Sequence, residues 1–265
     1  MSQDDLQPSA PVLLVIDDGI ATIRLNRPER RNVLDAESIG GIATALDRCT
    51  HDDVRVVLIA STGPTFCAGA DLRGAMAGGP ESFAESAPLA LANLLTSMLE
   101  HPKPLIACVQ GDVFGGGNGL VAACDIAVAT ESARFAFSEV RVGVAPAVVS
   151  VVCLMRMRPR DAARLMLTGE RVSADVVLNA GLVTDVVAAE EVESCVRAYA
   201  AQLIRGGPEA LAATKAVLRR VPQMSSGDAF EWTASLSSQL FASAEGREGM
   251  AAFAERRDPV WVTEA

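Results

Sequence analysis

The feature that most constrains the fold is a glycine-rich junction in which Gly115, Gly116 and Gly117 separate an apolar strand from an apolar helix. Residues 104–110 have the pattern of a buried strand, and residues 120–124 continue as helix. Glycine at such a junction lets a ligand approach the backbone and leaves the first helical N–H groups free for a negative charge. A glycine-rich turn without chemistry is the alternative reading. The segment predicts a strand–turn–helix unit with a potential anion hole at the turn.

The same order of strand and helix recurs along the first two thirds of the chain. Asp18 and Gly19 form a hairpin signal between two short strands, and Asp35 is expected to cap the first helix. The predicted strands are 12–17, 20–25, 54–60, 104–110 and 126–129, with helices at 35–49 and 82–99. This alternation predicts an α/β domain with mostly buried strands.

Beyond Val187 the pattern becomes helical. Helical spacing covers 190–205, 208–219, 225–243 and 246–256, and no strand is predicted there. We therefore divide the chain into an α/β core, residues 1–189, and a helical region, residues 190–265. Because no low-complexity linker joins them, we expect the helical region to pack on the core or on a neighbouring subunit.

Composition narrows the class of function. The chain has 265 residues, of which 50% are hydrophobic, but charges or prolines interrupt every apolar stretch before it reaches membrane-spanning length. The N-terminus lacks the basic and apolar parts of a signal peptide, so we expect a cytoplasmic protein with no membrane partner. A net charge of −10 argues against nucleic-acid binding. Six cysteines without paired spacing and only two histidines predict reduced thiols and no metal site.

One local excess of positive charge lies just after the first hairpin. Arg24, Arg27, Arg30 and Arg31 fall within eight residues of an otherwise acidic protein. They could form a phosphate-binding edge or a solvated arginine-rich loop. Charge patterning alone leaves both interpretations open.

A second loop resembles the glycine-rich junction in its setting. Residues 66–71, Phe-Cys-Ala-Gly-Ala-Asp, also follow a buried strand and offer small residues with accessible amides. Two N–H donors, one from each loop, could therefore converge on one carbonyl oxygen.

This pair of loops is one of several motifs by which the chain resembles the crotonase superfamily, also called the enoyl-CoA hydratase/isomerase family. The motifs are Ile23-Arg-Leu-Asn-Arg-Pro28 followed by Asn32, Gly69-Ala70-Asp71, the glycine run ending in Cys124-Asp125-Ile126, Phe135-Ala-Phe-Ser-Glu139, Leu167-Thr-Gly-Glu170 and Gly249-Met-Ala-Ala-Phe253-Ala-Glu-Arg-Arg257. Together, in this order, they extend over nearly the whole chain.

The resemblance implies a fold, a ligand and an assembly. The fold is a crotonase-like spiral of ββα turns with a C-terminal helical region for trimerisation, so a homotrimer or homohexamer is expected. The ligand is an acyl-CoA thioester whose enolate lies between the amides of Ala70 and Gly116, and no cofactor is needed beyond the coenzyme A of the substrate. The substrate-binding residues implied are Arg31, Val33, Ala68, Ala70, Asp71, Leu72, Gly116, Gly119 and Pro146.

The resemblance also implies an unusual set of catalytic side chains. The best-known hydratases of the family hold a water between two glutamates, of which the second matches Glu139. The first falls on Gly119, which cannot ionise. Asn118 is adjacent, but a helical neighbour points about 100° away and is not expected to substitute. Glu139 is therefore expected to carry the acid–base chemistry.

Several functions fit one carboxylate beside an anion hole. We favour an enoyl-CoA hydratase, because residues 138–150 resemble a bacterial branch of methylglutaconyl-CoA or related branched-chain hydratases that also tends to have glycine at the first glutamate position. A Δ3,Δ2-enoyl-CoA isomerase is the main alternative, and a catalytically silent acyl-CoA-binding protein is another. Arg141 could pair with a second carboxylate on the substrate or form a structural contact.

A serine hydrolase on a related spiral fold is a competing class. It would need a nucleophile such as Ser138 or Ser150 within reach of a histidine. Neither His51 nor His101 lies in a segment expected to reach the site, and His101 is expected to be structural. His51 or His101 beside a pocket serine would favour that class.

Overall fold

Two β-sheets and a set of flanking helices make up the protein, whose computed structural model describes residues 10–71, 74 and 80–262. The strands are β1 Val12–Asp17, β2 Ile20–Leu25, β3 Val56–Ser61, β4 Thr65–Cys67, β5 Leu105–Val109, β6 Asp112–Phe114, β7 Ile126–Thr130, β8 Arg134–Ala136, β9 Val172–Ser173 and β10 Asp185–Val187. The α-helices are α1 Ala36–Arg48, α2 Pro80–Glu100, α3 Gly116–Ala123, α4 Ala147–Cys153, α5 Pro159–Thr168, α6 Ala174–Ala180, α7 Val192–Ile204, α8 Pro208–Arg220, α9 Ser226–Ala242 and α10 Ala244–Glu255.

The larger sheet has six strands in the order β1-β2-β3-β5-β7-β10. Strands β1 and β2 form the predicted hairpin, in which Asp18 and Gly19 both take positive φ. The other pairs in this sheet are parallel. Every residue of β3 and β5 is buried, which explains their continuous apolar sequence.

The smaller sheet has four short strands in the order β4-β6-β8-β9. Each of β4, β6 and β8 follows a strand of the larger sheet after a few residues, and a helical segment comes after each. The chain thus repeats a ββα turn, as the crotonase-like spiral requires. None of these four strands was predicted, because segments of two or three residues are too short to show a readable alternation.

The parallel strands β4, β6 and β8 place three loops side by side. Because β6 pairs with both β4 and β8, the residues that follow each strand meet at one edge of the smaller sheet. These loops begin at Ala68, Gly115 and Phe137. The fold therefore brings together the two glycine-containing loops and the segment that carries Glu139.

The helical region after Val187 has the predicted four helices, α7 to α10. On α7, Val192, Val196 and Ala200 are buried against the larger sheet. Lys215 of α8 forms a largely buried ion pair with Asp125, at 2.7 Å between Nζ and Oδ2. In contrast, α9 has no buried residue. Within the part of the chain that the structure describes, no helix has both the length and the apolar character needed to cross a membrane.

Candidate active site

The loop after β4 is held by a short ladder of backbone hydrogen bonds. The N–H of Ala68 donates to the carbonyl of Arg31 at 3.0 Å, and the N–H of Leu34 donates to the carbonyl of Gly69 at 2.8 Å. Asn32 fixes the opposite segment, since its side-chain amide donates to the carbonyls of two residues near β4, Thr62 and Thr65. Ala70 is exposed, and its N–H has no acceptor among the described residues.

The two glycine-containing loops are in direct contact. A Cβ atom on Gly69 would lie 3.0 Å from the nitrogen of Gly116 and 2.9 Å from the carbonyl oxygen of Phe114, and Gly69 has a φ of 83°. Only glycine fits this approach. Gly116 is the first residue of α3, and its N–H has no acceptor in the described part of the chain. The amides of Ala70 and Gly116 are therefore unused donors on touching loops, as an oxyanion hole requires.

Glu139 lies beside this junction, in the 3₁₀ turn Ser138–Val142. A Cβ atom on Gly115 would be 3.4 Å from its Oε1 atom. Its Oε2 atom is buried and has no hydrogen-bond partner in the described ranges. Burial raises the pKa of this carboxyl group above its ordinary value of 4.5. A carboxyl group with a raised pKa and an unused oxygen is suited to proton transfer at an adjacent substrate.

Apolar side chains close the glycine face of α3, which Gly116 and Gly119 form at i, i+3 spacing. A Cβ atom on Gly119 would lie 2.9 Å from Cγ1 of Val149 and 3.2 Å from Cδ1 of Leu95. A Cβ atom on Gly116 would lie 2.9 Å from Cδ1 of Leu34. The position of the family's first glutamate is therefore filled by hydrocarbon, not left open.

Asn118 does not take the place of that glutamate. It is fully buried, and its Nδ2 atom donates to the carbonyl of Ala136 at 2.9 Å and to that of Gly115 at 3.2 Å. These bonds connect the end of β8 to the turn before Gly116. The Asn118 side chain thus stabilises the loop that presents the Gly116 amide. It points away from the side of the helix on which Gly119 lies, as predicted from the sequence.

A cavity of about 500 Å³ adjoins the same three loops. Its lining residues are Arg31, Ala68, Phe114, Ala136, Ser138, Arg141, Gly169 and Arg171. Three of the eight carry guanidinium groups and none is acidic, so the cavity favours an anionic ligand. Arg171 was not among the predicted site residues. It is a single arginine that lies far along the sequence from the cluster near the first hairpin, so no local pattern marks it.

The arginine cluster near the first hairpin is divided between two roles. Arg27 and Arg30 both pair with Asp35 at 2.8 Å, and Arg30 also pairs with Asp71. Arg24 contacts a backbone carbonyl. Only Arg31 of the four lines the cavity. Ion pairs within the fold occupy Arg27 and Arg30, so of the two interpretations left open for the cluster, neither describes all four arginines.

Four further residues were predicted to bind the substrate, namely Val33, Asp71, Leu72 and Pro146. Val33 is half-buried, between the Arg31 and Leu34 ladder positions, and Pro146 precedes α4. The Oδ1 atom of Asp71 accepts the N–H of Gly74 at 3.1 Å and so helps to fix the loop after β4. Leu72 lies outside the described residues, as do residues 73 and 75–79.

Arg141 makes structural contacts, which were the predicted alternative to pairing with a second carboxylate on the substrate. Its Nε atom donates to the carbonyl of Gly169 at 2.9 Å, and Nη2 donates to that of Thr168 at 3.0 Å. The guanidinium group thereby satisfies carbonyls at the end of α5 while it borders the cavity. These contacts anchor the turn that follows Glu139.

The histidines do not lie at the candidate site. His101 is buried, with Nε2 3.0 Å from the carbonyl oxygen of Leu46, and His51 is exposed just after α1. Neither lines the cavity beside Ser138, so a serine–histidine pair is not formed there. All six cysteines are free thiols. Across residues 10–71, 74 and 80–262, no three metal-binding side chains of the His, Cys, Asp or Glu type come together.

The fold is an α/β arrangement in which three neighbouring loops carry two unused backbone amides and the Glu139 carboxyl group, beside a cavity lined by three arginines. The sequence matches the family model described as enoyl-CoA hydratase/isomerase over residues 15–264. The chain belongs to this family, the crotonase superfamily, and is an enzyme of its lyase type.

Individual relatives and structures agree with this membership. The chain is 32% identical to the (E)-benzylidenesuccinyl-CoA hydratase of Thauera aromatica, over 95% of this chain and 98% of the relative. It is 34% identical to the carnitinyl-CoA dehydratase of Salmonella agona, over 91% and 94%. The crystal structure of an enoyl-CoA hydratase from Mycobacterium smegmatis superposes with a TM-score of 0.90 at 30% identity, over 96% of this chain and 99% of that one.

Proposed function

We propose that this protein is an enoyl-CoA hydratase that adds water to an α,β-unsaturated acyl-CoA thioester, with Glu139 as its acid–base residue. The observation that carries the proposal is the position of Glu139. Its Oε1 atom faces the glycine turn that presents the Gly116 amide, and its Oε2 atom has no partner among the described residues. The relatives named hydratase and dehydratase support this reaction type over others in the family.

The chemistry follows from the charge that the reaction creates. A thioester oxygen between the N–H groups of Ala70 and Gly116 gains negative charge when water attacks Cβ, and two fixed donors stabilise it. The dipole of α3 adds to this stabilisation. Losing one donor of this kind typically costs about 10²- to 10³-fold in rate.

Glu139 handles both proton transfers in this scheme. As a carboxylate it takes a proton from the attacking water, whose oxygen bonds to Cβ while the double-bond electrons move into the enolate. As a carboxylic acid it then returns the proton to Cα, and the carbonyl re-forms. The product is a 3-hydroxyacyl-CoA. Burial raises the pKa of Glu139 above its ordinary value, which suits a group that must both take up and return a proton.

We place the phosphates of coenzyme A near Arg31, with its pantetheine chain passing Ala68 towards Ala70. Val33, Asp71, Leu72, Gly119 and Pro146 complete the proposed substrate site. No cofactor is required beyond the coenzyme A of the substrate. We further propose a cytoplasmic homotrimer or homohexamer.

A Δ3,Δ2-enoyl-CoA isomerase is the second candidate, and the apolar wall beside Gly119 favours it specifically. Isomerisation needs one base and no water, and Val149 and Leu95 exclude a second polar group from this face of α3. In that reaction Glu139 would move one proton between C2 and C4.

A turnover screen separates these reactions. Crotonyl-CoA, a 3-enoyl-CoA and 3-methylglutaconyl-CoA are supplied in turn, and water addition and double-bond migration are followed separately. The proposal predicts hydration that falls about 10²- to 10⁴-fold in Glu139→Gln. Glu131→Gln, an exposed glutamate outside the cavity, is the matched control. Migration without hydration would replace the hydratase with the isomerase, and unchanged turnover in Glu139→Gln would remove Glu139 from the mechanism.

A further inference from the structure

One buried aromatic ring contacts two of the cationic groups that line the cavity. Phe114, the last residue of β6, is 7% exposed. The guanidinium carbon of Arg171 lies 4.8 Å from the centre of its ring, and that of Arg31 lies 5.5 Å from it. Both distances are within the range of a cation–π interaction. The two arginines are distant in sequence, and the fold places both guanidinium groups over this one ring.

Neither guanidinium has a conventional partner within the part of the chain that the structure describes. In the described ranges, the side chains of Arg31 and Arg171 form no ion pair and donate no hydrogen bond, whereas Arg27 and Arg30 are paired with carboxylates. Two like charges held near one ring repel each other, and the negative face of the ring offsets only part of that repulsion. An anion between them would supply the missing charge and the acceptors for their N–H groups.

The position of Phe114 connects this pair to the oxyanion hole. Its carbonyl oxygen would be the nearest atom to a Cβ placed on Gly69, and the next two residues are Gly115 of the glycine turn and the Gly116 donor. A shift of the Phe114 backbone would therefore move the amide, but a change of its ring alone should act on the arginines. Substitutions of the ring can separate the two effects.

We propose that Arg171 contacts a phosphate group of the bound coenzyme A together with Arg31, and that Phe114 is the positioning residue that holds both guanidinium groups towards it. This inference rests on the proposed function, because it takes the ligand to be an acyl-CoA. It adds a binding residue that the sequence motifs did not indicate, and it assigns a role to a buried phenylalanine outside the reacting centre.

Equilibrium binding of coenzyme A, measured by isothermal titration calorimetry, tests the proposal without any turnover. Phe114→Leu keeps an apolar side chain of similar volume and removes the ring, and Arg171→Ala removes one cation. Each is expected to weaken binding about tenfold, the loss typical of one charge-assisted contact. Phe114→Tyr, which retains the ring, is expected to bind within about twofold of wild type. Arg158→Ala makes the same charge change at an exposed arginine outside the cavity.

A double-substitution cycle distinguishes positioning from a general structural effect. If Phe114 acts through the arginines, Phe114→Leu costs less in the Arg171→Ala background than in wild type. Fully additive losses, or wild-type affinity in Arg171→Ala, would overturn the inference. The inference would also be overturned if Phe114→Leu lowered the thermal stability of the protein without changing its affinity for coenzyme A. Failure of the proposed function has a different signature, since the wild-type protein itself would then bind no coenzyme A.

A comparison with 3′-dephospho-CoA locates the phosphate. Equal losses for both ligands in Arg171→Ala place the contact at the pyrophosphate. A loss for coenzyme A alone places it at the 3′-phosphate. Both outcomes support the pair as a phosphate site, and the absence of any loss with either ligand contradicts it.

Discussion

At the scale of single residues, the proposed site depends on one carboxyl group, of which one oxygen is buried with no partner among the described residues. Glu139 has a buried Oε2 atom with no acceptor or donor among the described residues, and burial raises its pKa. Leaving a polar atom of this kind unsatisfied costs stability, which proteins tolerate mainly at functional sites. Glu139 therefore lowers the free energy of unfolding, and its carboxyl group remains available for proton transfer.

Replacement of Glu139 should consequently stabilise the fold in a pH-dependent manner. Because its folded-state pKa lies above the ordinary 4.5, the folded protein binds the proton more tightly than the unfolded chain, and stability falls as pH rises through the folded-state pKa. Glu139→Gln is expected to raise the melting temperature at pH 7. The gain should shrink below pH 4.5, where the wild-type carboxyl is protonated in both states. Thermal denaturation across this range checks it, and a gain independent of pH would contradict it.

Gly119 is the second informative residue, because close contacts require it to lack a side chain. A Cβ atom would lie 2.9 Å from Val149 and 3.2 Å from Leu95. Gly119→Ala is expected to cost about 1–3 kcal/mol of unfolding free energy by overpacking. Adding Val149→Ala should recover part of that loss, as denaturant unfolding of the two single variants and the double variant would show. Strict additivity would mean that the two side chains do not compete for one volume.

At the scale of elements, a network of ion pairs joins the loop after β4 to the start of α1. Asp35 caps α1 by accepting the N–H of Ser38 at 2.8 Å, and it also accepts from Arg27 and Arg30. Arg30 extends the network to Asp71, the neighbour of the proposed oxyanion donor Ala70. The helix cap and the loop thus share one set of charges.

Removal of Arg30 should therefore affect turnover more than folding. Its guanidinium group is partly exposed, so its loss is expected to change the free energy of unfolding by less than about 1 kcal/mol. Displacement of the Ala70 amide should lower kcat about tenfold, since catalysis depends on donor geometry. Arg30→Lys should recover some activity. Arg48→Ala, which breaks an exposed pair with Asp53, is the control. Equal kcat in Arg30→Ala and wild type would show that the loop is held by other contacts.

At the scale of the whole molecule, the helical region has one face that packs on the core and another that remains open. Lys215 and Asp125 link α8 to the strands of the larger sheet. On α9 and α10, large apolar side chains are exposed, with Phe230 at 77% and Phe253 at 87%. Exposed aromatic residues on adjoining helices are typical of a protein–protein contact.

Self-association through these helices is the expected consequence. Sedimentation velocity should give a mass of three or six times 27.7 kDa, the mass of the chain. Phe253→Asp would place a charge in the contact and is expected to shift the protein to monomer. Leu167→Asp is the matched control, because Leu167 is also 77% exposed but lies on α5. A monomeric wild-type protein would contradict the proposed homotrimer or homohexamer.

The sequence by itself determined the longer buried strands, the C-terminal helices and the positions of the main candidate residues. The buried strands were recognisable because they are continuous apolar runs, and the four C-terminal helices because their apolar residues recur at helical spacing. The glycine junction and Glu139 were identifiable because glycine next to an apolar helix and a carboxylate within a family motif are local signals.

Only the tertiary structure decided which groups meet. The smaller sheet depends on pairing among strands of two or three residues, which carry almost no local preference. Likewise, Arg30 pairs with Asp71, Arg171 joins Arg31 over Phe114, and Val149 fills the space beside Gly119. These partners are separated by tens of residues or more, and the packing of the whole chain selects them. The sequence therefore indicated a thioester site, whereas the fold decided which charges remain free to bind a ligand.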